Sequence, residues 1–302
     1  MSRTMIRKAS SSLPQARTRQ SRWMVGLAAG LLALGCAATV RADEVAKTFA
    51  VSGHARVNIE TDDGAVRVST GDIKQVEVRV VYSGYKVDRD LRISTEQDGD
   101  SVSIVAKTSG GSFWNWGPRH TSLRVEVHMP KDADLTVRSG DGSVEAESIN
   151  GNVDVKTGDG SITVQGVKGS ARFHSGDGHI EARGLDGIVD ASSGDGHIDL
   201  EGRFDGLTIR TGDGSVTARA GQGSKVASAW TIHTGDGSVD MEVPGDLKAN
   251  LDASTHDGHI SLGLQVTVEG TFSSSRIHGT MNGGGQSLTI STGDGSIHLS
   301  KT

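Results

Sequence analysis

Cysteine, aromatic residues, helical periodicity and basic charge are all in short supply here, and each shortage excludes something. Cys36 is the only cysteine among 302 residues, so no disulfide framework can hold the fold. Aromatic residues make up 4% of the chain, which leaves any core to aliphatic side chains. After residue 42 no stretch repeats apolar residues at the spacing of an amphipathic helix, and none is expected there. Seven of the 31 basic residues fall in the first 42, where no acidic residue occurs. From Asp43 onward 24 basic residues face 37 acidic ones, a net charge of −13. Such a surface lacks the basic stripe of a nucleic-acid binder. It suits solubility, cation binding or repulsion from anionic surfaces. A Ser-His-Asp elbow, a P-loop and a dinucleotide fingerprint are also missing.

Glycine, at 42 residues, is abundant, and most of it belongs to one repeated phrase. SGDGSV, TGDGSI, SGDGHI and SGDGHI place Asp141, Asp159, Asp177 and Asp195 eighteen residues apart. The phrase returns at Asp213, Asp236, Asp257 (THDGHI) and Asp294. Aligned on the aspartate, apolar residues stand six and four positions before it (Leu135 and Val137, Ala171 and Phe173) and three and five after it (Val144 and Ala146, Ile180 and Ala182). Alternation by two on both sides of a polar break is the mark of half-buried strands, so each unit reads as strand, turn, strand, turn.

Two architectures fit. In a parallel β-solenoid each unit is one coil, and equivalent strands stack about 4.8 Å apart. In an antiparallel meander each Asp-Gly is a two-residue hairpin turn. Likeness at eighteen residues rather than nine favours the solenoid. Charged outward positions such as Glu145, Lys156 and Arg183 exclude a membrane barrel. The apolar columns do not recur every six residues, as a hexapeptide helix would need. The fold expected is therefore all-β: a parallel β-solenoid of ~18-residue strand-turn-strand repeats with an N-terminal β cap, and no helix beyond a signal segment.

The aspartate spacing widens to twenty-three before Asp236, twenty-one before Asp257 and thirty-seven before Asp294. Each excess falls between strands, which makes 263–287 an insertion, either a strand pair or a flap. Residues 1–42 read as an export signal: a basic leader, an apolar run from Trp23 to Val40, and Val40-Arg41-Ala42 before a cleavage point. Leu32–Cys36 is a loose lipoprotein box, so cleavage after Ala42, lipidation at Cys36 and an uncleaved anchor all stay open. Residues 43–130 form a looser β region in which ARVNIETDDGAVRV, around Asp63, is a diverged ninth copy; 131–302 carry the regular repeats. Inside the first region a loop at 110–118 holds Phe113, Trp114 and Trp116. It either presents a stacking surface to a sugar or protein partner or folds back to plug the core.

Three chemistries merit consideration. Asp141, Asp159, Asp177, Asp195 and Asp213 would line one edge, either capping their turns at positive φ beside glycines or holding calcium. His179 and His197 would be neighbours on adjacent coils, and with two aspartates they form a candidate zinc or copper site. Histidine there equally replaces the serine of other copies at an exposed turn end. A polysaccharide-active β-helix enzyme is the third reading. It needs two acids in unlike environments, whereas these repeat in identical ones.

Taken together, FAVSGHARVNIETDDGAVRVSTGD, VEVHMPKDADLTVRSGDGSVEAESINGNVDVKTGDGSI and the GDG recurrence resemble a bacterial envelope family of β-repeat domains provisionally labelled adhesins. The likeness covers roughly residues 45–302. It implies a parallel β-solenoid in the cell envelope and supplies no catalytic residues. The expectation is a non-enzymatic, exported binding or scaffolding protein, without a cofactor unless calcium is one, whose partner is an envelope glycan or protein. The alternative is a cation-binding protein using the Asp and His columns.

Overall fold

The computed structural model describes residues 43–109, 121–268 and 273–302, which include twenty-one strands and no helix. The first seven are β1 (Asp43–Ala50), β2 (Ala55–Thr61), β3 (Ala65–Gly71), β4 (Gln75–Ser83), β5 (Leu91–Asp98), β6 (Ser101–Thr108) and β7 (Ser122–Pro130). The regular repeats supply β8 (Ala133–Ser139), β9 (Val144–Lys156), β10 (Ile162–His174), β11 (Ile180–Ser193), β12 (Ile198–Thr211) and β13 (Val216–Ala220). Then follow β14 (Trp230–Thr234), β15 (Val239–Val243), β16 (Ala249–Thr255), β17 (Ile260–Gly263), β18 (Thr267–Val268), β19 (Arg276–Met281), β20 (Ser287–Thr292) and β21 (Ile297–Lys301).

Pairing is parallel, with partners eighteen residues apart: Ile162 lies beside Ile180, and Phe173 beside Ala191. That register decides for the solenoid over the meander. The strand before each Gly-Asp-Gly turn stacks into one wall and the strand after it into a second. Along β9 to β12 a single long strand serves both walls, closing one rung and opening the next. The alternating apolar columns face each other between the walls. Val144, Val155, Ile162, Phe173, Ile180, Ala191 and Ile198 are wholly buried, and the positions between them point to water.

The second turn differs from the sequence expectation. It is a short third side through which the ladder continues, with Val167 beside Ile149, Lys168 beside Asn150 and Gly169 beside Gly151. One apolar residue per rung enters the core here, namely Ile149, Val167, Leu185 and Phe204, all buried. The chain turns into this side at a left-handed residue: Ser148 (φ 60°), Gly166 (φ 71°) or Gly184 (φ 66°).

Nor do the rungs stack in chain order. From one end the sequence is β6/β7, β2/β3, β8/β9, then the continuous run to β12/β13, then β14/β15, β20/β21 and β16/β17. The first and last rungs in sequence are thus each one place inside the stack. Antiparallel strands finish the ends. β4 and β1 add to β7 in one wall and β5 to β6 in the other. At the far end β19 and β18 follow β16, so the 263–287 insertion contains a strand pair. A parallel ladder left bare is a template for aggregation. The edge strand β1 carries Lys47 opposite the buried Val78, on the inward side where an added strand would need an apolar residue.

Candidate functional site

The Gly-Asp-Gly turns form one edge of the solenoid, and the side chain that builds them is the Ser or Thr two residues before the aspartate. Thr157, Ser175, Ser193, Thr211, Thr234, Thr255 and Thr292 are all buried there. Each hydroxyl donates to glycine carbonyls of the adjoining rung, and most accept the N–H of their own second glycine. Ser175 Oγ lies 3.0 Å from the Gly160 oxygen and receives the Gly178 N–H at 3.0 Å. Thr234 makes the corresponding contacts to Gly214 and Gly237 at 2.9 and 3.2 Å. The residue before the aspartate, glycine in all the regular turns but His256 in the Asp257 one, adds a backbone bond to the adjoining rung, as from Gly158 N to Gly140 O at 2.5 Å.

This arrangement corrects the turn-cap reading of Asp141, Asp159, Asp177, Asp195 and Asp213. None of these aspartates, and neither glycine beside them, has positive φ. The glycines are needed for close approach instead. A Cβ at Gly160 would meet the Gly142 carbonyl oxygen at 2.2 Å, and one at Gly178 the Gly160 oxygen at 2.1 Å. The five carboxylates stand on consecutive rungs, exposed, and among the described residues none has a side-chain hydrogen bond or ion pair. Asp236, Asp294 and Asp257 extend the same line in that spatial order. Sequence reasoning gave the aspartate the role of its buried neighbour, although every copy of the phrase, the diverged Asp63 one with Thr61 included, shows Ser or Thr at that position.

His179 and His197 also lie on this edge, their rings stacked with centroids 5.3 Å apart and planes within 3°. No group of three or more His, Cys, Asp or Glu side chains converges among the described residues. His259, the third histidine of that column, bonds Ser296 on the neighbouring rung at 3.0 Å. Phe113, Trp114 and Trp116 lie outside the described residues, as do Cys36 and the leader. The described strands on either side of that segment in sequence, β6 and β7, pair with β2 and β3.

The outer face of the second wall holds a feature the sequence did not signal. Where antiparallel β1 and β4 meet parallel β7 and β3, the outward residues Thr48, Glu77, Arg79, Glu126, His128, Arg67 and Ser69 border a shallow trough of about 480 Å³. Ser69 Oγ and His128 Nδ1 are 2.9 Å apart. Arg67 is hydrogen-bonded to Glu145 at 2.6 Å, and Arg79 to Glu44 at 2.5 Å. These bonds raise both guanidinium pKa values above the ordinary arginine value. The trough depends on strands brought together from 43–50, 65–71, 75–83 and 122–130, which no local pattern reveals.

Parallel register, rungs closed by glycine and hydroxyl ladders, and antiparallel end caps define an all-β repeat protein of the solenoid class. The chain belongs to the Toastrack family, DUF4097, whose profile matches residues 54–300. No curated protein matches it. Among solved structures, the chain is similar to a provisionally named lipid binding protein from Parabacteroides distasonis ATCC 8503. That pair shares 16% identity and a TM-score of 0.49, covering 85% of this chain and 96% of the other. A provisionally named adhesin from Bacteroides fragilis NCTC 9343 shares 8% identity over 86% of this chain and 97% of its own, with a TM-score of 0.45. A provisionally named cell adhesion protein from Clostridium sporogenes ATCC 15579 shares 13% over 87% of this chain and 100% of its own, with a TM-score of 0.33.

Proposed function

We propose that this chain is an exported, non-enzymatic binding or scaffolding protein of the cell envelope, adhesin-like, whose partner is an envelope glycan or protein. The supporting observation is the uniformity of the surface. Each wall presents alternating outward side chains on a backbone fixed at both the turn edge and the third side. A rigid array of this kind gives preorganised contact area, while acids repeated in equivalent settings lack the inequality that acid–base catalysis uses. The basic, apolar leader supports export, and Phe113, Trp114 and Trp116 are the contact points put forward. Pull-down from envelope glycan and protein fractions should lose its partner when Trp114→Ala and Trp116→Ala are combined. Retention of the full set of partners would remove the aromatic segment from the proposal.

A second reading rests on the line of exposed carboxylates without side-chain partners: they would bind calcium along the turn edge. Ligand at a hundred times its dissociation constant adds about 2.7 kcal/mol to stability. Thermal melts of the chain from Asp43 in EDTA and in millimolar calcium separate the readings. Coincident curves leave the aspartates as solvated turn residues, and a large upward shift makes the edge a cation site.

A further inference from the structure

The chain's last rung is not the solenoid's last rung. β20 and β21 lie between the β14/β15 rung and the β16/β17 rung, bonded in parallel to both. The chain therefore lays down the outer rung first, runs through residues 264–286, and only then fills the space inside. Asp236 and Asp257 are twenty-one residues apart rather than eighteen. Those three extra residues let the chain step over a slot one strand spacing high, about 4.8 Å. Both facing edges of that slot are satisfied by one segment. Leu288, Ile290, Ile297 and Leu299 are wholly buried in it. Thr292 donates to the Gly237 oxygen on one side, and Thr255 to Gly295 on the other, each at 2.8 Å. His233 bonds Ser291 at 2.9 Å.

The segment is attached by a short strap. β19 and β20 flank β16 on opposite sides, so Asn282–Gln286 must cross the end of β16. Three successive residues of that strap are left-handed: Asn282 (φ 51°), Gly283 (φ 87°) and Gly284 (φ 80°). Glycine adopts this backbone freely, and asparagine tolerates it best among residues with a Cβ. The strap is thus a short hinge bent sharply over one strand, and short hinges favour exchange of the element they carry.

We infer that Ser287–Lys301 is a donor rung that exchanges between copies of this chain. The slot between the Asp236 and Asp257 rungs takes the same segment of a second copy. Every contact within the slot depends on register, not on which chain supplies the strand, so closed and exchanged forms differ only at the strap. Extending the strap frees Asn282 from its left-handed conformation and gives up its Nδ2 bonds to the Gly245 and Leu247 carbonyl oxygens at 3.0 and 2.8 Å. Reciprocal exchange closes a two-fold dimer in which neither slot is empty. This interaction is independent of the envelope ligand proposed above.

The test uses two full-length variants, His233→Cys and Ser291→Cys, each also carrying Cys36→Ser. They are mixed at high concentration, held just below the onset of thermal unfolding, cooled and oxidised. Exchange places the two cysteines opposite each other across chains and yields a disulfide-linked heterodimer on a non-reducing gel. The control pair is His174→Cys with Ser192→Cys, whose side chains make the same contact at 2.8 Å between β10 and β11 in mid-stack. The expected result is cross-linking severalfold above the control. Equal yields overturn the inference. His233→Cys and Ser291→Cys placed in one chain and oxidised before mixing should abolish the exchange. Deleting Gly283 and Gly284 should turn the full chain from monomer to dimer in size exclusion, and a folded monomer carrying that deletion also overturns it. If the deletion variant does not fold, the cross-link ratio decides alone.

Discussion

At Ser175 a single buried oxygen joins two rungs, whereas two residues further on the Asp177 carboxylate reaches only water. Ser175→Ala strands the Gly178 N–H and weakens the hold on the Gly160 carbonyl, a loss of about 1–3 kcal/mol for groups left unpaired in the interior. Asp177→Ala should stay within about 0.5 kcal/mol of the parent, as surface changes usually do. Gly178→Ala should cost the most of the three, because its Cβ meets a backbone oxygen at 2.1 Å and neither rung can withdraw without breaking its ladder. Urea unfolding midpoints order these variants, and equal losses at Ser175 and Asp177 would return the turn to the aspartate. The serine was visible in the repeat all along. What the sequence could not show is depth. A hydroxyl and a carboxylate two residues apart look alike as turn residues until stacking buries one and exposes the other.

Among the elements, the third side shows where pattern reading stopped. INGN, VKGS and LDGI share no apolar alternation, since only one residue of each faces the core and corners interrupt the period on both sides. Ile149, Val167 and Leu185 nonetheless form a column eighteen residues apart, legible once a three-sided rung is assumed. The corner before that column makes a paired prediction. Ser148 occupies the left-handed position that Gly166 and Gly184 hold on the next two rungs. A Cβ there costs about 1–2 kcal/mol, and glycine's extra chain entropy returns about 0.5–1 kcal/mol of it. Ser148→Gly should therefore raise stability by up to about 1 kcal/mol, and Gly184→Ala lower it by a similar amount, when both are read by calorimetry. On the same side Arg203 binds Asp205 at 2.6 and 2.8 Å and also bonds Asp186. The Arg203 bonds hold the Asp205 carboxyl below the ordinary carboxylate value, outweighing its desolvation. A depressed folded pKa means the stabilisation is present above the unfolded value near 3.9 and fades as pH falls through the folded one. Asp205→Asn should accordingly shrink the stability gap to the parent as pH drops below about 4. A gap unchanged between neutral and acid pH would show that Arg203 contributes packing alone.

For the whole molecule, the class of fold was readable and the order of its rungs was not. Val, Ile, Leu and Gly-Asp-Gly recur in such similar columns that any rung can stack on any other, so composition carries no address. Spacing was the only trace: twenty-one and thirty-seven residues around Asp257 and Asp294 mark the place where the chain overshoots and returns. The same ambiguity hid the first rung, where Asp63 looks like a diverged copy but β2 and β3 sit inside β6 and β7. This ordering predicts an inverted profile of native-state hydrogen exchange. A chain stacked in sequence order would fray from its C-terminus, and Ile297–Lys301 would exchange before Ile260–Gly263. Here β21 is paired along both sides, by β15 and β17, whereas among the described strands β17 is paired by β21 alone, with one further backbone bond from the Ile260 N–H to the Ser274 oxygen. β17 can therefore open while β21 stays paired, but β21 cannot leave without uncoupling β17 as well. Local opening follows such dependencies, with the least supported unit opening at the lowest free energy. The amides of β21 should be more protected than those of β17. Equal or lower protection in the last strand would mean that the terminal rung lies outermost, and the slot between the Asp236 and Asp257 rungs would vanish with it.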